Sequence, residues 1–84
     1  MVHKLIFCSK KEAQEVLKYM RESIRRYGCV TVADYYDICG MRSTYRDRLH
    51  GWYKLQNVKI EKRECYGLNE WTIELPEAEE LYKP

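Results

Sequence analysis

The sequence lacks the residue groupings on which small enzymes and metal domains are built. Its four cysteines, Cys8, Cys29, Cys39 and Cys65, are scattered, and no C-x-x-C spacing brings two thiolates to one cation, which argues against a zinc knuckle. There are two histidines, His3 and His50, and neither stands beside a Cys or Ser in a nucleophile–base arrangement. A Gly-rich phosphate loop, H-E-x-x-H and a calcium-loop pattern are all missing. Asp34 and Asp37 share a helix face at a spacing of three, but Asp34 is accounted for as part of a helix cap, which weakens a paired-carboxylate site. The expectation is a protein that is not an enzyme and takes no cofactor and no metal.

Long apolar runs are missing too. No stretch approaches the roughly 20 residues of a membrane span, and the apolar run near the start, Leu5 to Cys8, is too short for a signal peptide. Scattered thiols without a leader read as reduced cysteines in a cytoplasmic protein, mostly buried as small hydrophobes. No internal repeat or low-complexity segment interrupts the chain.

What is present fits one small globular domain: 84 residues, 33% charged and 45% hydrophobic. A net charge of +2 is low for a nucleic-acid binder. The sum hides an asymmetry, since six Arg fall between Arg21 and Arg48 and four Glu between Glu74 and Glu80.

Local signals then predict the elements. His3 to Cys8 reads as a strand. Ser9-Lys10-Lys11-Glu12 is a capping box opening a long helix, whose stripe of Ala13, Val16, Leu17, Met20, Ile24 and Tyr27 faces the core and whose stop is Gly28. Thr31 and Asp34 form a second capping box, with Val30 and Tyr35 placed as a hydrophobic staple and Gly40 as the stop of a short helix. Between Met41 and Tyr53 the period is lost: Ser43 or Thr44 is a cap for a third helical turn closed by Gly51, and an ordered loop fits equally well. Val58 and Ile60, then Trp71, Ile73 and Leu75, alternate with polar residues around Tyr66-Gly67-Leu68-Asn69, predicting a hairpin ended by Pro76. The reading is a single α+β domain over residues 1–76: N-terminal strand, long amphipathic helix, short second helix and C-terminal β-hairpin. Residues 77–84 form an acidic tail docked by Leu81 and Tyr82. The helix–helix–turn–hairpin order is also that of a winged helix.

The chemistry concentrates in the stretch from Arg42 to Tyr53. Guanidinium forks suit phosphates, and aromatic faces suit bases or a partner's apolar anchor, so Arg42, Tyr45, Arg46, Arg48, His50 and Tyr53 are the candidate ligand- or partner-binding residues. Arg42 and Arg46, four apart, are expected to flank Tyr45. Trp52 reads as a core anchor, and Thr31, Asp34, Gly28, Gly40 and Gly51 as structural residues. Eight Tyr in so short a chain favour a recognition surface.

Tyr27-Gly28, Val30-Thr31-Val32-Ala33-Asp34, Tyr36-Asp37, Gly40, Tyr45, Asp47 and Gly51-Trp52 resemble a family of small phage and prophage proteins. The likeness extends to the preceding amphipathic helix and to a hairpin ending in Leu75-Pro76, covering about two thirds of the chain. Where that family has Tyr-Thr-Asp-Asn before its Gly-Trp, this chain has Tyr45-Arg46-Asp47-Arg48-Leu49-His50, which adds charge. The resemblance implies a phage origin and the host-cell cytoplasm.

Three functions compete. The first is a non-enzymatic counter-defence inhibitor that sequesters a nucleotide signal or masks a host defence protein such as a CRISPR nuclease. The second is a winged-helix DNA-binding regulator reading with Arg42 to His50 and using Lys59 to Arg63 as its wing; the modest net charge ranks nucleic acid below the first. The third is a small structural or assembly component of a virion. A membrane partner is not expected, and oligomeric state is left open.

Overall fold

The computed structural model describes Val2 and residues 4–81. Helix α1 spans Lys10–Tyr27. Half of the expected capping box forms, the Ser9 hydroxyl accepting from the Glu12 amide at 3.1 Å, and the other end stops at Gly28, whose amide donates to the Ile24 carbonyl at 2.7 Å. Ala13, Val16, Leu17 and Met20 on its inner face are buried, as their helical period requires, and Ile24 packs on them half-buried, but Tyr27, expected on the same stripe, is exposed at the helix end.

The chain returns through β1 (Val30–Thr31) into α2 (Val32–Ile38). The second capping box forms in full: the Thr31 amide donates to the Asp34 carboxylate at 3.1 Å and the Asp34 amide to the Thr31 hydroxyl at 2.9 Å. After α2, Gly40 adopts φ 75, and the Met41 amide donates to the Tyr36 carbonyl at 2.8 Å, the closure that a left-handed residue after a helix permits. A side chain at Gly40 would be strained there although the space around it is open.

Residues 42–50 hold no third α-helix. They form a single 3-10 turn, Arg46–Arg48, followed directly by β2 (His50–Trp52). The Asp47 carboxylate accepts from the Thr44 amide at 2.8 Å and fixes the turn's start. Gly51, expected as a helix stop, lies instead within β2 between two strands. A Cβ there would sit 2.0 Å from the Val30 carbonyl oxygen, so only glycine lets β1 and β2 approach this closely.

β2 is the middle strand of a three-stranded antiparallel sheet, with β1 on one side and β5 (Glu79–Glu80) on the other. The acidic tail therefore contributes an edge strand, and Leu81 docks it: its amide donates to the Leu49 carbonyl at 2.8 Å. Tyr82, the other expected anchor, lies outside the described residues.

The hairpin pairs β3 (Lys59–Cys65) with β4 (Leu68–Glu74) in unbroken register from Lys59↔Glu74 to Cys65↔Leu68. Its turn is shorter than the sequence suggested. Tyr66 (φ 52) and Gly67 (φ 77) make a two-residue loop of the left-handed kind that matches strand twist, while Leu68 and Asn69 already belong to β4.

No strand forms over residues 4–8. Phe7 alone makes an antiparallel bridge to Trp71, through bonds of 2.8 and 3.0 Å. The ladder stops because the Ile73 carbonyl, next on that edge, is taken by the Leu75 amide at 3.0 Å, and on the other side α1 starts at Lys10. His3 lies outside the described residues. With a single bridge at the start, a three-residue turn in place of the third helix, and β2 paired away from the hairpin, the chain does not adopt the winged-helix order. It is a small α+β fold of two helices and two antiparallel sheets.

One core joins these parts. Tyr35 stands edge-on to Trp52 at 6.2 Å between ring centres, packed with Met20, Val30, Leu55 and Ile73. Burying such rings fully contributes roughly 1.5–3 kcal/mol each.

Candidate functional site

The 3-10 turn and the start of β2 project Arg46, Asp47 and His50 toward the chain segment that follows β4. Between them lies a cavity of about 650 Å³. Val32, Tyr35, Ile73, Leu75 and Pro76 give it an apolar lining, and the charged residues on it are Lys4, Arg46, Asp47, Glu74 and Glu77 together with His50. Burial pushes the Tyr35 phenol well above its ordinary value, so this wall is neutral at any physiological pH.

The charged groups divide into spent and free ones. Lys4 meets Glu74 at 2.9 Å, and chiefly through this hydrogen bond it holds the Glu74 carboxyl below its usual range. Asp47 is engaged with the Thr44 amide. His50 Nδ1 lies 2.9 Å from the Arg46 carbonyl; a carbonyl only accepts, so Nδ1 is the donor in this contact. Arg46 and Glu77 have no ionic partner among the described residues. The cavity thus presents a free guanidinium, a free carboxylate and an imidazole nitrogen around a floor of aliphatic carbon.

Of the six binding residues expected from sequence, Arg46 and His50 line this cavity. Arg42 and Arg48 are exposed outside its lining, and Tyr45 is 74% exposed, also outside it. The guanidiniums do not gather around Tyr45; the cation–ring contacts described are those of Lys10 and Lys62 with Trp71. Tyr53 acts as a strap, donating its hydroxyl to the Leu81 carbonyl at 2.9 Å. Trp52 is buried as expected, and its indole Nε1 donates to the Pro76 carbonyl at 2.8 Å.

The charged residues that sequence reasoning missed are Lys4, Asp47, Glu74 and Glu77, and with them the wall from Leu75 to Ala78. The free Glu77 two residues after Leu75 was visible as tail charge, but nothing local placed it opposite Arg46. Among the described residues no group of three or more His, Cys, Asp or Glu is gathered to hold a metal ion. No described helix is long and apolar enough to cross a membrane.

Compared with known protein families, curated proteins and solved structures, the chain matches none.

Proposed function

We propose that this chain is a non-enzymatic binding protein that holds a nucleotide-type ligand between the 44–50 turn and the Leu75–Ala78 segment. The observation that carries this reading is the pair of unspent charges, Arg46 and Glu77, lining one apolar-floored cavity. A phosphate satisfies the guanidinium fork, the N–H edge of a base satisfies the carboxylate, and the flat ring covers the aliphatic floor of Ile73, Leu75 and Pro76. A purely apolar ligand leaves both charges unused. A simple anion leaves Glu77 and the floor unused.

Taken with the resemblance to small phage proteins, such a site makes the chain a counter-defence protein that sequesters a nucleotide signal in the host cytoplasm. Purified protein should then release a compound absorbing at 260 nm with a phosphate-bearing mass. Protein that carries no such compound, and takes up none of a nucleotide panel supplied at millimolar concentration, contradicts it.

A second reading rests on a different surface. Ile6 (58% exposed), Tyr19 (62% exposed), Ile38 and Met41 ring a shallow groove floored by Phe7 and Val16. Exposed large hydrophobics gathered in this way suit protein contact. That favours the version in which the chain masks a host protein; on this reading Tyr19→Ala with Met41→Ala removes inhibition and spares ligand binding at the cavity.

A further inference from the structure

Helix α1 gathers a row of cations on one flank. At about 100° per residue, Lys10, Gln14, Lys18, Arg21 and Arg25 fall within an arc of about 80°, and no carboxylate shares that arc. Glu12 and Glu15 lie on the opposite flank, against the apolar groove of Ile6 and Tyr19. The cationic flank borders the hairpin, where it lines a groove with Val58 and Ile60.

β3 adds a further cation. Lys62 faces Trp71 across the hairpin, and the Lys10 and Lys62 ammoniums stand 6.0 and 5.9 Å from the centre of the Trp71 ring. Those contacts orient the lysines without neutralising them. Arg21 spends its Nε and one Nη on the Leu55 carbonyl, at 3.2 and 3.1 Å, and keeps its charge. Glu22, the one carboxylate in the groove, is bonded to both Arg25 and Arg26, so that trio remains a net cation. Glu64, two residues beyond Lys62 on the same face of β3, is the nearest other acid of that strand face. Lys18 has no described partner.

From Lys10 to Arg25 the row is about 22 Å long at 1.5 Å per residue, straight because its scaffold is one helix. Along a duplex that distance passes about six phosphates of one strand. From this we infer that the α1–hairpin groove binds the phosphate backbone of a nucleic-acid duplex, independently of sequence and at a surface separate from the cavity. A duplex is favoured over a single strand, because single-strand sites stack bases on open aromatic faces, whereas here Trp71 is half-buried and attended by two ammoniums. The low net charge of the whole chain does not decide the matter; the local row does.

The test is anisotropy titration of labelled duplex DNA, duplex RNA and single-stranded DNA of about 20 nucleotides per strand, from about 50 to 200 mM salt, where a backbone contact gives a linear log–log slope. The triple variant Lys10→Gln, Lys18→Gln, Lys62→Gln is compared with a charge-matched control on other faces, Lys54→Gln, Lys59→Gln, Arg63→Gln. The expected result is duplex binding by the wild type, an affinity loss of at least about tenfold in the triple variant, and a salt slope smaller in magnitude by about 2–3. The control should stay within about threefold of wild type. Whichever duplex binds more tightly identifies the source of the backbone, and either one supports the inference. Equal losses in the two triple variants, no duplex binding at the lowest salt, or preference for the single strand overturns it. Should the triple variant be unfolded, Lys18→Glu alone reads the same face and should weaken duplex binding severalfold; unchanged affinity there overturns the inference equally.

Discussion

Trp52 donates its indole hydrogen to the carbonyl of Pro76 across 2.8 Å, and this one bond ties the middle strand of the small sheet to the wall of the cavity. Trp52 is buried against Tyr35, so the ring fixes the core while its polar edge holds the segment whose Leu75 and Ala78 pack on that core.

Replacing Trp52 by Ala should cost about 3–5 kcal/mol, the range for emptying a large core site. Trp52→Phe keeps most of the volume and leaves the Pro76 carbonyl unpaired, which should cost about 1–3 kcal/mol. Urea denaturation checks both values. Amide exchange adds a specific signature: relative to wild type, Trp52→Phe should speed exchange at Leu75 and from Glu77 to Glu80 more than in α1. An equal change in both regions shows that the indole bond does not hold the wall.

Tyr66 occupies the first position of the hairpin turn with φ 52 and is fully exposed. A bulky residue is strained there, while Asn tolerates the left-handed region and is favoured before Gly in this turn. Tyr66→Asn should therefore stabilise the protein by about 0.5–1 kcal/mol, seen as a rise in Tm of roughly 2–8 °C. A fall in Tm shows that the Tyr66 ring makes a contact that holds the hairpin.

How much of this was legible in the sequence depended on element length. α1 and α2 were readable because Ser9 with Glu12, and Thr31 with Asp34, write their caps locally and the apolar stripes supply the period. The hairpin was readable from alternation, although Tyr66-Gly67 alone makes its turn. The three-stranded sheet was not, since Val30–Thr31, His50–Trp52 and Glu79–Glu80 are too short to show a period of two. Gly51 looked like a helix stop because its real constraint, the Val30 carbonyl, comes from a different part of the chain. The cavity was half legible for the same reason: Arg46 and His50 stood out in a charged segment, whereas Glu77 and Pro76 meet them only through tertiary pairing.

The cysteines should separate by reactivity. Burial above all, and the Glu12 carboxylate as well, push the Cys39 thiol up to about 11, whereas Cys8 is exposed. At pH 8 only about 0.1% of Cys39 is then thiolate. A disulfide-exchange reagent at that pH should label Cys8 early and Cys39 last, with mass mapping to assign the order. Early labelling of Cys39 would show that the junction of α2 with the apolar groove opens readily.

Acid should weaken the cavity rim in a defined window. The Glu74 carboxyl is held below the ordinary carboxylate range in the folded chain, chiefly by the hydrogen bond from Lys4. A depressed acid contributes stability that is complete above the unfolded value and disappears as pH falls through the folded one. Stability should thus decline below about pH 4.5, and Lys4→Met should flatten that part of the curve while leaving the neutral region little changed, since an exposed pair contributes little. An identical acid limb in the two proteins removes Lys4 as the cause.

The most direct measurement is a backbone amide NMR titration of the intact protein with AMP and with cyclic di-AMP, repeated on Arg46→Ala. Arg46 makes no described side-chain bond, so its truncation should leave the fold intact and cost no more than the 0–1 kcal/mol typical of an exposed charge. With the wild type, at least one of the two probes should shift the amides of Thr44 to His50 together with those of Leu75 to Ala78, and Arg46→Ala should weaken that binding at least about tenfold, as expected for a lost charge-assisted fork. Absence of shifts from both probes at millimolar concentration, or shifts confined to residues away from these two segments, contradicts a nucleotide site in this cavity.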